Sequence, residues 1–241
     1  MRFFIHLAYD GTRYHGWQIQ PNGISVEGEI ERCLSTLLRQ PVDIVGAGRT
    51  DAGVHARHMV AHFDFIEELD CPQLTYRLNR LLPPDITIYN VELVDDDMHA
   101  RFSATRRTYH YYICTRKDPF NRHYSWQCHY NLDFDLMNEA ALKLIHYEDF
   151  AAFCKSHTDV KTTLCKVNEA HFYESKDGWY FRISANRFLR NMVRAVVGTL
   201  VEVGRHRISI GEFCHIIEQG SRTNAGESMP AHALFLEHIE Y

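Results

Sequence analysis

The sequence predicts an α+β protein made of two halves, residues 1–103 and 104–241, whose strands are mostly antiparallel. Two observations lead to this fold class. Short segments alternate apolar and polar residues, as strands with one buried face do, and longer segments repeat apolar residues every three or four positions, as helices packed on a sheet do. Both halves run approximately strand, helix, strand, strand, helix, strand. That order favours a continuous sheet with helices on one side and a cleft between the halves.

The first half begins with a strand, because apolar residues occupy every second position of residues 3–9. Ser25 is a suitable N-cap for a helix whose apolar residues, from Val26 to Leu37, fall on one stripe. Asp70 begins a second helix over residues 71–82, and two prolines end it. Three further strands are predicted, over residues 42–45, 59–65 and 86–93.

The second half follows the same order less closely. Ser209 and Glu212 have the spacing of a capping box and predict the start of the last helix. A turn at Lys176, Asp177 and Gly178 predicts a hairpin. Strands are predicted over residues 107–114, 125–130, 167–174, 179–184 and 234–240, and the two other helices over residues 136–145 and 189–203.

Composition limits the functional classes. With 241 residues, of which 45% are hydrophobic and 24% charged, the chain is typical of a folded protein with a large core. Seven cysteines without a C-x-x-C pair indicate a reducing cytoplasm and argue against a disulfide framework or a zinc ribbon. We expect neither a secretion signal nor a membrane span, because residues 2–10 alternate and charged residues interrupt the apolar residues 188–203.

The charge is unevenly distributed along the chain. Residues 99–124 and residues 182–207 each contain six lysines or arginines and one acidic residue, so together they carry +10. Because the net charge of the whole chain is −5, the rest of it carries −15. Basic segments in an otherwise acidic protein favour a surface that binds a polyanion such as nucleic acid. Two solvated charged faces are the alternative.

A glycine-rich loop combines residues that are typical of an active site. It spans residues 46–56 and reads Gly-Ala-Gly-Arg-Thr-Asp-Ala-Gly-Val-His-Ala. Its three glycines allow backbone angles that other residues avoid, and they leave room for a partner to approach closely. A strand leading into the loop places Arg49 and Asp51 at its exit, where binding and catalytic groups are common. The alternative is a tight turn with one surface ion pair.

From Gly48 to Ala56, the loop resembles the signature of tRNA pseudouridine synthases of the TruA type. Three more stretches match this family in the same order, so the resemblance covers nearly the whole chain. Two departures, Met59 in place of the usual Gln and Leu81 in place of a second Asn, leave the RNA contacts there open. The matching stretches are Tyr9-Asp10-Gly11 with residues 14–18, then residues 99–104 with residues 107–111, and residues 186–204 with Met192-Val193-Arg194.

The resemblance implies isomerisation of uridine to pseudouridine in the anticodon arm of tRNA, at positions 38–40 in this family. The bond between the sugar and N1 breaks, the base rotates, and a carbon–carbon bond forms through C5. The implied fold is the pseudouridine synthase fold, in which two ferredoxin-like halves form one sheet with a central active-site cleft. The family works as a homodimer and needs no metal or organic cofactor.

The resemblance also assigns roles to residues at matching positions. Asp51 corresponds to the nucleophile, which attacks either the sugar C1′ or the base C6. Arg194 corresponds to the arginine that pairs with this aspartate, and a cation there keeps a desolvated carboxylate ionised. Tyr109 corresponds to the tyrosine that stacks on the target uracil. The alternative for Tyr109 is an ordinary half-buried tyrosine of a strand.

Arginines supply the expected contacts with phosphate. Arg49 is the basic residue of the glycine-rich loop. Arg187, Arg190 and Arg194 recur at intervals of three and four, which predicts one stripe at the start of a helix, where the helix dipole also favours phosphate. The target uridine must leave its stacked position to reach Asp51. An exposed basic stripe that does not bind RNA predicts the same spacing.

The sequence leaves two other functional classes open. His55, His58 and His62 have the spacing of metal ligands on a helix, which suits a zinc-dependent hydrolase. They lie in a segment predicted as a strand, however, and a strand directs them to different sides. The second class is a non-catalytic RNA-binding module, since sheets that carry aromatic residues are common RNA-binding surfaces.

Overall fold

The computed structural model describes residues 1–21, 23–155 and 161–241. The chain forms two compact units. The N-terminal unit comprises residues 1–105 and 235–241, and the C-terminal unit comprises residues 106–234. This division differs from the predicted one, residues 1–103 and 104–241, mainly in the last seven residues, which group with the N-terminal unit.

The N-terminal unit has the predicted order of strands and helices. It contains strand β1 (Arg2–Tyr9), helix α1 (Val26–Leu38), strands β2 (Val45–Gly46) and β3 (His55–Asp64), helix α2 (Cys71–Leu81), strand β4 (Ile86–Val94) and, from its second residue onward, strand β9 (Leu234–Glu240). Strand β1 lies between β3 and β4 and is antiparallel to both, and β2 is antiparallel to β3. The order β4-β1-β3-β2 is that of a ferredoxin-like sheet. Strand β9 adds a short parallel pairing with β3.

Side chains of β1 point alternately to two faces of the sheet. One face is buried, and the other carries both buried and partly exposed residues. Phe3, Ile5 and Leu7 are at most 2% exposed, and the apolar stripes of α1 and α2 are buried as well. Both helices begin where the sequence predicts, because a side chain caps each of them. Ser25 accepts a hydrogen bond from the backbone N–H of Gly28, and Asp70 accepts one from Gln73.

The C-terminal unit is also built from strands and helices. It contains strands β5 (Arg106–Cys114) and β6 (Trp126–Gln127), helix α3 (Phe134–Lys143), strands β7 (Val167–Ser175) and β8 (Gly178–Ala185), and helices α4 (Met192–Gly204) and α5 (Ile210–Gln219). Strand β8 lies between β5 and β7 and is antiparallel to both, while β6 is parallel to β5. The α+β class and the mostly antiparallel pairing are therefore confirmed.

Helix α4 is the central helix of the C-terminal core, since nearly all of its residues are buried. It contacts helices α3 and α5, and Phe181 and Ile183 of β8 are fully buried in the same unit. Helix α5 begins with the predicted capping box, in which Ser209 and Glu212 bond each other's backbone N–H groups.

Several element boundaries differ from the predicted ones for local reasons. Helix α3 starts two residues early, because the side chain of Asp133 accepts a hydrogen bond from Leu136 and caps the helix there. Helix α4 starts at Met192 instead of residue 189, because Asn191 has a left-handed backbone (φ 67°) that a helix cannot include. Strands β2 and β6 are only two residues long, shorter than the predicted residues 42–45 and 125–130.

Candidate active site

The glycine-rich loop connects two antiparallel strands, β2 and β3. Val45 pairs with His62 and Gly46 with Ala61, and the backbone N–H of Ala47 donates to the carbonyl of Val60 at 2.8 Å. The pairing ends there, so the residues after Ala47 form the loop of a hairpin. Within this loop Arg49 is exposed and Asp51 is half-buried.

The backbone turns sharply just after Asp51. The N–H of Val54 donates to the carbonyl of Asp51 at 3.1 Å, and Gly53 between them has φ 78°, in the left-handed region. Glycine adopts this conformation without steric cost. Gly48, before the turn, has nothing within 4 Å of the position that a Cβ would take. The loop therefore holds the backbone of Asp51 and leaves open space beside Gly48.

Residues 9–18 form a supporting stretch on the other side of the loop. They include residues 9–11 and 14–18, which match the family. The hydroxyls of Tyr9 and Thr50 lie 2.9 Å apart, and the N–H of Trp17 donates to the carbonyl of Thr50 at 3.3 Å. Gly16 has φ 97°, and a Cβ there would collide with the Thr50 carbonyl. A Cβ on Gly11 would likewise collide with the carbonyl of Val54. Two glycines thus allow the close approach of the two stretches.

Tyr14 joins this supporting stretch to the start of β4. Its hydroxyl donates to Asp85 at 2.7 Å, and Arg13 forms an ion pair with the other oxygen of the same carboxylate. Burial raises the pKa of Tyr14 to about 12, and the bond to Asp85 adds to the rise, so the phenol stays a neutral donor. Its carbonyl accepts a hydrogen bond from Gly53, directly behind the turn.

The C-terminal unit carries Tyr109 in the middle of β5. Its ring is half-buried and meets Phe188 edge to face, with centroids 5.1 Å apart and planes at 87°. The neighbouring Arg107 donates to the carbonyl of Asn186 at 2.7 Å. These contacts join β5 to the segment before α4, which carries the predicted phosphate-binding arginines.

Arg187 and Arg190 precede helix α4 instead of lying on it. The prediction of one helical stripe formed with Arg194 is therefore wrong, because the left-handed Asn191 separates these two arginines from the helix. Arg187 donates to the carbonyl of Thr162 at 3.3 Å. Arg190 is exposed, and its carbonyl accepts a hydrogen bond from the backbone of Lys155.

Arg194 lies in the first turn of α4, where it is held firmly. Its Nε donates to the carbonyl of Met229 at 2.6 Å, and the N–H of Met229 donates back to the Arg194 carbonyl at 3.2 Å. One turn later, Gly198 allows close approach of the chain, since a Cβ there would collide with the Glu227 carbonyl. Side chain and backbone together fix the direction of the guanidinium.

The three histidines of β3 have separate surroundings. His55 is 1% exposed and stacks on Phe235 at 4.5 Å, His58 lies 3.1 Å from His6, and His62 accepts a hydrogen bond from Ala100. Within residues 1–21, 23–155 and 161–241, no group of three or more histidine, cysteine or acidic side chains could hold a metal ion. The geometry therefore offers no support for the zinc hydrolase. Among the same residues, no helix is long and apolar enough to cross a membrane.

Comparison with known proteins identifies the family. The family model described as tRNA pseudouridine synthase matches residues 140–241. The chain is 58% identical to tRNA pseudouridine synthase A of Bacteroides fragilis over 242 residues, which cover 100% of this chain and 96% of the relative. It is 39% identical to the Bacillus subtilis protein of the same name, over 100% of this chain and 99% of the relative. The chain belongs to the tRNA pseudouridine synthase family.

Membership of this family confirms the predicted enzyme class, an isomerase that converts uridine to pseudouridine in tRNA. The RNA-binding module and the metal hydrolase are not favoured. Arg49 and Asp51 lie in the N-terminal unit, and the other predicted site residues, Tyr109, Arg187, Arg190 and Arg194, lie in the C-terminal unit. The roles of these six residues stay predictions.

Several supporting residues of the loop were not predicted as part of the site. Tyr9, Gly11 and Gly16 contact the loop residues on either side of Asp51. The sequence did contain a signal, since all three lie in a stretch that matches the family. It could not show that the stretch supports the loop, because the contacts join residues about 40 positions apart.

Proposed function

We propose that this chain isomerises uridines 38–40 in the anticodon arm of tRNA, with Asp51 as the nucleophile. The single observation that supports this most directly is the position of Asp51. It is half-buried, in a loop whose backbone is held by the turn at Gly53 and by the supporting stretch at Thr50. A held carboxylate at the exit of a strand suits a nucleophile, because attack requires a fixed approach to one carbon atom.

In the proposed reaction, the Asp51 carboxylate attacks either C1′ of the sugar or C6 of the uracil. The bond between C1′ and N1 breaks, and the base turns so that C5 faces C1′. A bond then forms between C5 and C1′, and the bond to Asp51 breaks, which restores the carboxylate. The proton on C5 leaves to water, and N1 takes up one proton from water. No atom is gained or lost, as an isomerisation requires. Arg194 pairs with Asp51 in this proposal and keeps the carboxylate ionised while the substrate excludes water.

In this proposal, one tyrosine ring binds the target base and three arginines bind the phosphates of the RNA. Tyr109 stacks on the extruded uracil in this proposal, and its edge-to-face contact with Phe188 holds the ring in place. Arg49, Arg187 and Arg190 contact phosphates, which orient the tRNA without reading its sequence. The proposal includes a homodimer in the cytoplasm that needs no metal or organic cofactor.

The test uses tRNA whose uridines carry tritium at C5. Isomerisation releases this label to water, whereas binding alone does not. We expect release from tRNA with uridines at positions 38–40 and none from a matched tRNA with cytidines there. Release that is equal from both substrates would refute the anticodon-arm assignment, and the absence of release from either would refute the activity itself.

A further inference from the structure

An open cavity of about 650 Å³ lies in the C-terminal unit, at the end of β5. Its lining combines the cation of Lys117 with the aromatic residues Tyr130, Phe134 and Trp179. Sites for small molecules typically enclose roughly 300–1,000 Å³, so this cavity is large enough for one nucleotide. The proposed isomerisation assigns no role to any of these four residues.

The cavity is separate from the candidate site residues of the same unit. Tyr109 lies in the middle of β5, and Thr115, which follows the last residue of the strand, lines the cavity. At a rise of roughly 3.3 Å per residue, these six positions correspond to about 20 Å. Helix α4 shows a similar separation, because Arg194 lies in its first turn and Arg205 follows its last residue. A ligand that contacts both places must therefore be a long chain, as an RNA is.

Tyr130 is an exposed residue of the cavity whose ring is held in place. The residue is 49% exposed, and the central guanidinium carbon of Arg205 lies 3.7 Å from the centre of its ring. The N–H of Tyr130 donates to the Sγ of Cys128 at 3.4 Å, and the N–H of Cys128 donates to the carbonyl of Cys114 at 2.9 Å. These contacts connect Tyr130 to the ends of β5 and α4. A ring that is already held loses little conformational freedom when a base stacks on it.

The two basic segments of the sequence meet at this ring. Lys117 belongs to residues 99–124, and Arg205 belongs to residues 182–207. Lys117 lines the same cavity as Tyr130, on which Arg205 stacks. Proteins that bind single-stranded nucleic acid combine such groups, because an aromatic ring stacks on a base of any sequence and a cation contacts the phosphate. The chemistry of the cavity therefore fits a nucleotide.

We propose that this cavity binds one unpaired nucleotide of the tRNA, with its base stacked on Tyr130 and its phosphate in contact with Lys117. The inference rests on the proposed function, in which the chain binds tRNA in order to isomerise it. The bound nucleotide is not the one that reacts, so the cavity contributes to affinity for tRNA and not to the chemical step. A free nucleotide offers the same base and phosphate, and the experiment separates these two sources.

The test compares the double variant Lys117→Gln, Tyr130→Leu with the control Lys143→Gln, Tyr76→Leu. The control removes the same two kinds of side chain from exposed positions on α3 and α2. Filter binding to tRNA, the single-turnover rate of tritium release at saturating tRNA and Tm are measured for each. We expect the cavity variant to bind tRNA about tenfold or more weakly, because it loses a stacked base and a phosphate contact. Its rate at saturating tRNA should stay near wild type, and the control should match wild type in affinity and rate.

Single substitutions separate the contribution of the ring from that of the charge. Tyr130→Phe keeps the ring and should keep the affinity for tRNA, whereas Tyr130→Leu should lose part of it. Lys117→Gln should reduce the salt dependence of binding by about one unit, and Tyr130→Leu should leave it unchanged. Because Lys117 is exposed, its substitution tests the proposal even if Tyr130→Leu lowers Tm.

Three results would overturn the inference. The first is wild-type affinity for tRNA in the cavity variant, or an equal loss in the control. The second is a clearly lower rate at saturating tRNA, which would assign the cavity to the chemical step. The third is binding of AMP or UMP, measured by equilibrium dialysis, that the cavity variant loses while it keeps its affinity for tRNA. A wild-type chain that bound tRNA but released no tritium would instead refute the proposed function, and the comparison of affinities would still be valid.

Discussion

Asp51 is the residue on which the proposed chemistry depends most. We predict that Asp51→Asn folds normally and binds tRNA with nearly unchanged affinity, because the amide fits the same half-buried position in the loop. Turnover should be abolished, since a nucleophile contributes only to the chemical step. Single-turnover tritium release and filter binding measure the two effects separately. A residual rate within about tenfold of wild type, or ~1.4 kcal/mol of barrier, would rule out the assigned role.

A substitution at Gly16 tests how much the contacts with residues 9–18 stabilise the loop. Gly16→Ala places a side chain at φ 97° and against the carbonyl of Thr50. We predict a loss of about 2 kcal/mol or more in the free energy of unfolding, from backbone strain and the collision. The matched control is Gly48→Ala in the glycine-rich loop itself, where a Cβ meets nothing within 4 Å. Denaturant unfolding should show a much smaller change there, and equal losses would contradict the prediction.

His58 makes the stability of the N-terminal unit depend on pH. Burial lowers the pKa of His58 to about 4, and the charges of His238 and His6 add to the shift. The unfolded chain, with a pKa near 6.5, then binds a proton that the folded chain excludes. The stabilisation is complete above pH 6.5 and is lost as the pH falls toward 4.

We therefore predict that His58→Gln reduces the loss of stability between pH 7 and pH 5 by roughly 1–2 kcal/mol, since one pKa unit corresponds to about 1.4 kcal/mol. Urea unfolding at each pH measures the difference. The control replaces the exposed His123, which lies outside the N-terminal unit, by Gln. A wild-type pH dependence in His58→Gln would show that this histidine is not responsible.

At the scale of elements, the start of α4 separates two kinds of arginine. Arg187 and Arg190 lie before the left-handed Asn191, whereas Arg194 lies within the helix and is bonded to Met229. Only Arg187 and Arg190 lie in a segment outside the helix, which can contact the phosphates of a polyanion. We therefore assign Arg187 and Arg190 to affinity for tRNA and Arg194 to turnover.

This assignment predicts different results for the two kinds of arginine. Arg187→Gln and Arg190→Gln should weaken tRNA binding and reduce the salt dependence by about one unit for each phosphate that is no longer bound. Their rates at saturating tRNA should stay near wild type. Arg194→Ala should lose turnover more than affinity. Replacing the exposed Arg77 of α2 by Gln removes one charge elsewhere and serves as the control in filter binding over a range of salt.

At the scale of the whole molecule, the chain must supply all the chemistry that the proposed reaction needs. We predict that protein treated with a chelator keeps its full rate without added metal, because a carboxylate nucleophile and a proton leaving to water require no Lewis acid. The assay uses tRNA folded with spermidine in place of magnesium, so that the effect of magnesium on RNA folding is separated from catalysis. Loss of activity that zinc or magnesium restores would contradict the prediction.

Local patterns were sufficient for most of the fold. The caps at Ser25 and Asp70 and the capping box at Ser209 lie within a few residues of the groups they bond, so the sequence predicts where these helices begin. Boundaries shifted where the backbone depends on a local feature that the apolar pattern does not reveal. Asn191, for example, lies among arginines that have helical spacing, but its own backbone adopts a left-handed conformation.

Features of the candidate site that depend on neighbouring residues could be predicted, and features that depend on residues far apart in the chain could not. The sequence by itself determined the α+β class, the family, and the loop that carries Asp51, because each depends on neighbouring residues or on ordered motifs. Only the tertiary structure decided how Gly16 lies against Thr50, how Met229 holds Arg194, and that Arg205 lies over the ring of Tyr130. These features depend on residues far apart in the chain, which packing brings together and no local pattern records.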